Sequence, residues 1–167
     1  MLWRISNHGD LAGLGGEKTD GRWHTAAKGK RIVYLAEHPA LALIEALANL
    51  KGNPQLFPNT YQLIRIRVAV SVSREALVRR KLSDQWREDL FETRSAGDSW
   101  LAAGRSALLA VPSAPSPESL NYLFNPRHRH ARGLTVDWHK RIVWDKRLFH
   151  IQGQNESPTV SGRAFSF

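Results

Sequence analysis

The sequence predicts an α+β fold in a single domain, and three patterns carry that prediction. Tyr61 to Val70 alternates, with Ile64, Ile66, Val68 and Val70 on one side and Arg65 and Arg67 on the other, the period of a half-exposed strand. Arg31 to Ala36 is apolar on both sides, as in a strand covered on two faces. Between them, Leu41, Ile44, Leu47 and Leu50 recur at the spacing of an amphipathic helix.

Taken in order, Leu2 to Ser6 reads as a first strand. Asn7 to Gly21 is a Gly-rich loop containing Gly13-Leu14-Gly15-Gly16. It is not a phosphate loop, because no Gly-Lys-Ser/Thr ending follows and no helix opens after it. A surface connection is the first reading and an active-site loop the alternative. In Arg31 to Ala36, Ile32, Tyr34 and Ala36 share one face, and Val33 and Leu35 the other. Glu37-His38-Pro39 starts the helix, since proline is tolerated in a first turn, and Gly52 with Asn53-Pro54 ends it.

Ser73 to Glu92 has helical composition without proline, and Thr93 to Arg105 reads as a further helix packing Trp100 and Leu101. Ala107 to Val111 is a short apolar strand, Pro112 to Ser119 a Pro/Ser loop, and Asn125-Pro126-Arg127-His128 a turn in which Asn125 bonds to backbone. Leu134 to Val143 is another strand, and Asp145 to Ile151 leads to a last one. The polar stretch from Gln152 to Phe167 reads as an extension or partner arm.

At 167 residues with 42% hydrophobic content, six Trp and six Phe, the chain suits one buried core. Cysteine is absent, which removes disulfides, thiol nucleophiles and Cys-ligated zinc. Met1 to Ser6 lacks the apolar core of a signal peptide, and no stretch approaches the roughly 20 apolar residues of a membrane span. The expectation is a cytoplasmic protein without a membrane partner.

The net charge is +9 and the basic residues are spread along the chain, in Lys28-Gly29-Lys30-Arg31, Arg65 and Arg67, Arg79-Arg80-Lys81 and Arg127-His128-Arg129-His130. No helix-turn-helix, RNA-recognition or zinc-finger spacing accompanies them, so a solvated basic face or an acidic partner is favoured over direct nucleic-acid binding. His128-x-His130 has no third ligand at a recognisable spacing, so no metal is expected. The Gly-x-Ser-x-Gly elbow of a serine hydrolase is missing.

Several polar residues stand in segments that otherwise read as buried: Arg22 in Gly21-Arg22-Trp23, Tyr34 in Ile32 to Ala36, Glu45 within the first helix, and Ser113 after Val111-Pro112. Such groups must be paired or used. Glu45 is the sharpest case, because its helical neighbours Leu41, Ala42, Ala48 and Asn49 include no Lys or Arg to pair with it.

These segments, together with Asn121-Tyr122-Leu123-Phe124-Asn125-Pro126-Arg127-His128, resemble the RES-domain family, named for its Arg, Glu and Ser. The resemblance runs from Leu2 to Ile151, making residues 1–151 the domain and 152–167 the extension. His24 departs from it, where many members have Asn, as does Arg129, where Pro is common. The resemblance implies a fold similar to ADP-ribosyltransferases, with a mixed sheet core and flanking helices. It also implies a bacterial toxin that consumes NAD, with no cofactor beyond that substrate. Its partner would be an antitoxin that carries a DNA-binding helix-turn-helix and occludes the pocket, so that DNA is met only indirectly.

Breaking the nicotinamide–ribose bond develops oxocarbenium character, which a nearby carboxylate stabilises. Nicotinamide leaves neutral from a cationic pyridinium and needs no proton, so one carboxylate suffices. Glu45 is the candidate for that role. Arg22 is the candidate for the diphosphate, since a guanidinium offers several donors in a planar fork. Tyr34 offers a ring to stack on nicotinamide and a hydroxyl to bond it. Ser113 is the candidate for the nicotinamide ribose or amide; spacing alone does not separate it from Ser116 and Ser119, and only the resemblance points to it. Water, phosphate and a protein side chain remain open as acceptors. The other readings are an ADP-ribosyltransferase acting on a protein and a non-catalytic basic RNA-binding module.

Overall fold

The computed structural model describes residues 1–50 and 58–149. One mixed sheet runs through it, built from β1 (Leu2–Ser6), β2 (Val33–Ala36), β3 (Gln62–Val68), β4 (Arg74–Ala76), β5 (Leu108–Pro112), β6 (Leu120–Phe124) and β7 (Leu134–Arg141). The spatial order is β4-β5-β6-β2-β1-β3-β7. Only β4 and β5 pair in parallel; the other neighbours are antiparallel. Two α-helices, α1 (Pro39–Asn49) and α2 (Leu90–Ala103), complete an α+β architecture among the described residues.

The alternation of strand side chains divides the core in two. One face carries Leu2, Val33, Leu35, Ile64, Ile66, Leu108, Phe124 and Leu134, closed by Val72 and Leu11 from loops. On the other face, Leu109, Val111 and Leu123 pack with Trp100 of α2 and with Trp23 and Trp86 from the connecting chain. On that same face Ala36, Trp3 and Ile5 meet Leu41 and Ala42 of α1.

Helix α1 begins as expected at Pro39, with the His38 ring accepting from the Ala40 amide at 3.2 Å as a cap. Its buried stripe differs from the expected one: Leu41, Ala42 and Ala46 face the sheet, whereas Ile44 is 40% exposed. Small residues on the inner face let the helix lie close to the strands, which brings Glu45 down to them. The expected stop at Gly52-Asn53-Pro54 lies outside the described residues, as does the 152–167 extension.

Three expectations are corrected. Ser73 to Glu92 is not helical: it holds β4, a 3-10 turn at Arg79–Lys81 and irregular chain, and α2 starts only at Leu90. The anchors of this stretch, Val72, Leu77, Leu82 and Trp86, are spaced at five, five and four, which makes no helical stripe. Each plugs the core separately, and Asp89 caps the helix by accepting from the Glu92 amide at 3.0 Å. Leu120–Phe124, not foreseen as a strand, is β6 near the middle of the sheet; Leu120, Tyr122 and Phe124 supply its apolar face, while the opposite face carries the buried polar Asn121 beside Leu123. Lys146–Phe149 is a 3-10 turn where a last strand was expected. Asp145 starts that turn by accepting from the Arg147 amide at 2.9 Å and pairing with its guanidinium at 2.6 Å.

Part of the basic charge is internally paired. A bulge between the Arg65 and Ile66 positions of the β3–β7 register turns Asp137 toward both Arg65 and Arg67. Lys30 pairs with Asp98, Arg31 with Glu17 and Arg105 with Glu75. No helix among the described residues is long and apolar enough to cross a membrane.

Candidate active site

The strand register lays out the floor of a cleft beside α1. Leu123 of β6 stands opposite Tyr34 of β2; in the next row Asn121 stands opposite Ala36, and Ala36 opposite Trp3 of β1. Ala36 is the small member of its row. Over this floor α1 contributes Ala42, Glu45, Ala46 and Asn49, and the Gly21-Arg22-Trp23 turn closes one side, around a volume of about 490 Å³.

Glu45 is gripped from below. Its Oε1 accepts the Ser113 hydroxyl at 2.7 Å and also the Asn121 side-chain amide. Ser113 has no exposed surface and does not line the cleft. Its own oxygen accepts the Ser116 amide at 3.2 Å, while Ser116 and Ser119 bond to each other through their hydroxyls at 3.1 Å. Geometry thus separates three serines that spacing left equivalent: Ser113 alone of them reaches Glu45. Both hydrogen bonds to Glu45 fall on Oε1 among the described residues. No Lys or Arg pairs with this carboxylate there.

Arg22 sits in a tight turn closed by the Gly21 amide donating to the His24 carbonyl at 3.0 Å. The turn is nailed to α2 in two places. Arg94 donates to the Gly21 carbonyl at 3.0 Å. Gly97 lies so close to Trp23 that a Cβ there would fall on the Trp23 carbonyl oxygen. Trp23 is buried beside Trp86, ring centroids 6.0 Å apart. The Arg22 guanidinium donates to the Arg87 carbonyl at 2.7 Å, which uses part of its fork and leaves it at the cleft wall. Arg4 also borders the cleft, but strand alternation puts its side chain on the opposite face with Leu2 and Ser6, where it donates to the Asp10 carbonyl at 3.1 Å. Arg22 and Glu45 are therefore the charged side chains of the cleft among the described residues.

The Tyr34 hydroxyl lies under the turn, where it accepts the Trp23 amide at 3.1 Å and bonds His24 Nδ1 at 2.8 Å. Burial pushes the phenol well above its ordinary value, so Tyr34 stays protonated. Burial likewise pushes the His24 imidazole down, opposed by the Gly16 backbone and by Asp98, so the ring is neutral near pH 7.

The structure brings Arg22, Tyr34 and Glu45 to one cleft, with Ser113 directly behind Glu45. Sequence reasoning did not single out Asn121 or His24 as site residues. The available signal for Asn121 was the same as for Glu45, a polar residue inside an apolar run.

The model of a family described as the RES domain matches residues 1–145. A Pseudomonas putida protein named Toxin Res is 40% identical over 149 residues, covering 89% of this chain and 99% of that one. A Sphingobium protein named Prs ADP-ribosylating toxin is 33% identical over 157 residues, covering 88% and 95%. Among solved structures, the fold is similar to a chain in the crystal structure of the M. tuberculosis MbcT-MbcA toxin-antitoxin complex. There the TM-score is 0.69 at 14% identity, covering 84% of this chain and 82% of that one.

Proposed function

The chain belongs to the RES-domain family, and from that premise we propose that it is the toxin of a toxin–antitoxin pair, cleaving the nicotinamide–ribose bond of NAD. The observation that carries the proposal is the fixed carboxylate of Glu45, set in a cleft where, among the described residues, Arg22 is the cation and no Lys or Arg pairs with Glu45.

In this reaction the glycosidic C–N electron pair leaves with nicotinamide, whose ring goes from cationic to neutral. The positive charge passes to the ribose. Ser113 and Asn121 hold Oε1, so Oε2 is available to face that charge and the ribose hydroxyls without reorganising. Ser113 then acts through Glu45 rather than on the ribose itself. Arg22 is assigned to the diphosphate with the donors that Arg87 does not use, and the Tyr34 ring to nicotinamide. The acceptor supplies a lone pair to the ribose carbon and loses a proton.

Water or inorganic phosphate as acceptor makes the chain an NAD-depleting toxin. A second reading, transfer of ADP-ribose to a protein, draws on the relative named as an ADP-ribosylating toxin. The partner assigned is an antitoxin with a DNA-binding helix-turn-helix that covers the cleft, in a cytoplasmic complex. An antitoxin partner is consistent with the complex in which the structurally similar chain was solved.

The experiment is nicotinamide release from NAD by the purified chain, with and without phosphate, beside Glu45→Ala. Release that Glu45→Ala abolishes supports cleavage at this site, and a phosphate requirement identifies phosphorolysis. Labelled ADP-ribose appearing on protein would favour the second reading. No release and no labelling, with nucleic acid bound equally well by Glu45→Ala, would replace both with a basic binding module.

A further inference from the structure

We propose that His24 is a positioning residue for the NAD site: its imidazole fixes the Tyr34 ring and, with it, the turn that presents Arg22. The inference rests on the NAD-cleaving reading for its ligand, and on geometry for everything else.

His24 is only 3% exposed and does not line the cleft, so it can act on a ligand only through a neighbour. That neighbour is Tyr34, whose hydroxyl lies 2.8 Å from Nδ1, with the two rings 5.7 Å apart between centroids. The same hydroxyl receives the Trp23 amide at 3.1 Å. The packing around it leaves no slack: a Cβ on Gly21 would strike the Tyr34 hydroxyl and approach His24 Nδ1 to 2.7 Å. Gly21, Trp23 and His24 thus converge on one oxygen, and Arg22 is the remaining residue of that four-residue turn. A displaced phenol would move the ring and the arginine together.

The charges around His24 are largely compensated. Asp98 of α2 accepts from Lys30 at 2.9 Å and from the Thr25 hydroxyl at 2.6 Å, and Asp20 pairs with Arg94 at 3.3 Å. His24 is therefore placed to supply a hydrogen bond rather than a charge. Glu45 is held on the other side of the cleft by Ser113 and Asn121, independently of this turn. Loss of the His24 bond should weaken NAD binding and leave the cleavage step intact.

The test is a kinetic series on nicotinamide release: wild type, His24→Leu, His24→Asn, Tyr34→Phe and the double variant His24→Leu/Tyr34→Phe. His24→Leu should raise KM for NAD about tenfold, the worth of one buried hydrogen bond, and Tyr34→Phe, which also strands the Trp23 amide, at least as much, with kcat kept within about twofold for His24→Leu. The double variant should be no worse than Tyr34→Phe alone, because a phenylalanine at 34 already lacks the hydroxyl that His24 holds, along with the bond from the Trp23 amide. His24→Asn, which restores a short polar side chain, should recover most of the loss. An unchanged KM in His24→Leu, or single effects that multiply in the double variant, would overturn the proposal. Should circular dichroism show His24→Leu unfolded, His24→Phe keeps an aromatic ring without Nδ1 and carries the test with the same expected rise. NAD binding read by tryptophan quenching separates the two levels. A wild type that binds NAD without cleaving it defeats the cleavage reading and leaves His24 to be judged on Kd. A wild type that does not bind NAD defeats both.

Discussion

Ser113 and Glu45, 68 residues apart in the chain, meet at 2.7 Å, with the serine hydroxyl donating to the carboxylate from a position that has no exposed surface. A fully buried serine cannot be a surface contact for a large ligand. In the proposed reaction its effect would pass through the carboxylate it holds.

Ser113→Ala should therefore lower kcat by about tenfold and leave KM for NAD nearly unchanged, since Asn121 still holds Oε1 and the cleft wall is untouched. Steady-state nicotinamide release measures both. A raised KM with normal kcat would instead mean that the hydroxyl reaches the ligand directly.

Asn121→Asp puts a second carboxyl where an amide now donates to Glu45. Two carboxylates at that distance cannot both ionise readily, so the pair holds a proton to higher pH. The acid limb of the pH–rate profile should move upward, with activity falling away at a pH where the wild type is still fully active. Asn121→Ala, which adds no charge, should lower activity without that displacement.

Gly97→Ala tests how the Arg22 turn is fastened. Alanine in mid-helix gains about 1 kcal/mol of propensity over glycine. Here the added methyl falls on the Trp23 carbonyl, which is backbone and cannot rotate away. Forced backbone shifts cost about 1–3 kcal/mol or more in addition to cancelling that gain, so the clash wins. Urea unfolding should show net destabilisation; a stabilised variant would contradict the close approach of α2 to the turn.

Stability should also fall with pH in a window set by two histidines. Burial pushes His24 below its ordinary 6.5. Burial pushes His128 down as well, with the neighbouring His130 and Arg129 adding to it. Below 6.5 the unfolded chain takes up protons that the folded chain refuses. The stability present above that pH is thus lost as pH falls toward the depressed folded values. Chemical denaturation at pH 7.5, 6.5 and 5.5 should show the decline, and the double variant His24→Asn/His128→Asn should flatten it.

How legible the molecule was in its sequence depended on whether a segment served the core alone. β1, β3 and β7 follow simple alternation or apolar runs, and α1 was marked by its Pro39 start. Sequence reasoning failed at β6, where Asn121 sits inward to hold Glu45, and at Ser73 to Glu92, where irregular anchors mimic helical composition. The cleft residues Arg22, Tyr34 and Glu45 stood out because polar groups among apolar neighbours need partners. His24 did not, because its partner is Tyr34 across a turn, and nothing in linear spacing brings positions 24 and 34 together. Likewise Ser113 was separable from Ser116 and Ser119 only once the loop after β5 had a shape.

The most direct measurement is nicotinamide release from NAD by the purified chain free of any antitoxin, compared with Glu45→Gln, a substitution that removes the charge and keeps the shape. A wild type that releases nicotinamide, with a rate lowered about 100-fold or more in Glu45→Gln while NAD binding persists, is the predicted result. Cleavage at the wild-type rate by Glu45→Gln, or none by the wild type, would contradict the central role given to this carboxylate.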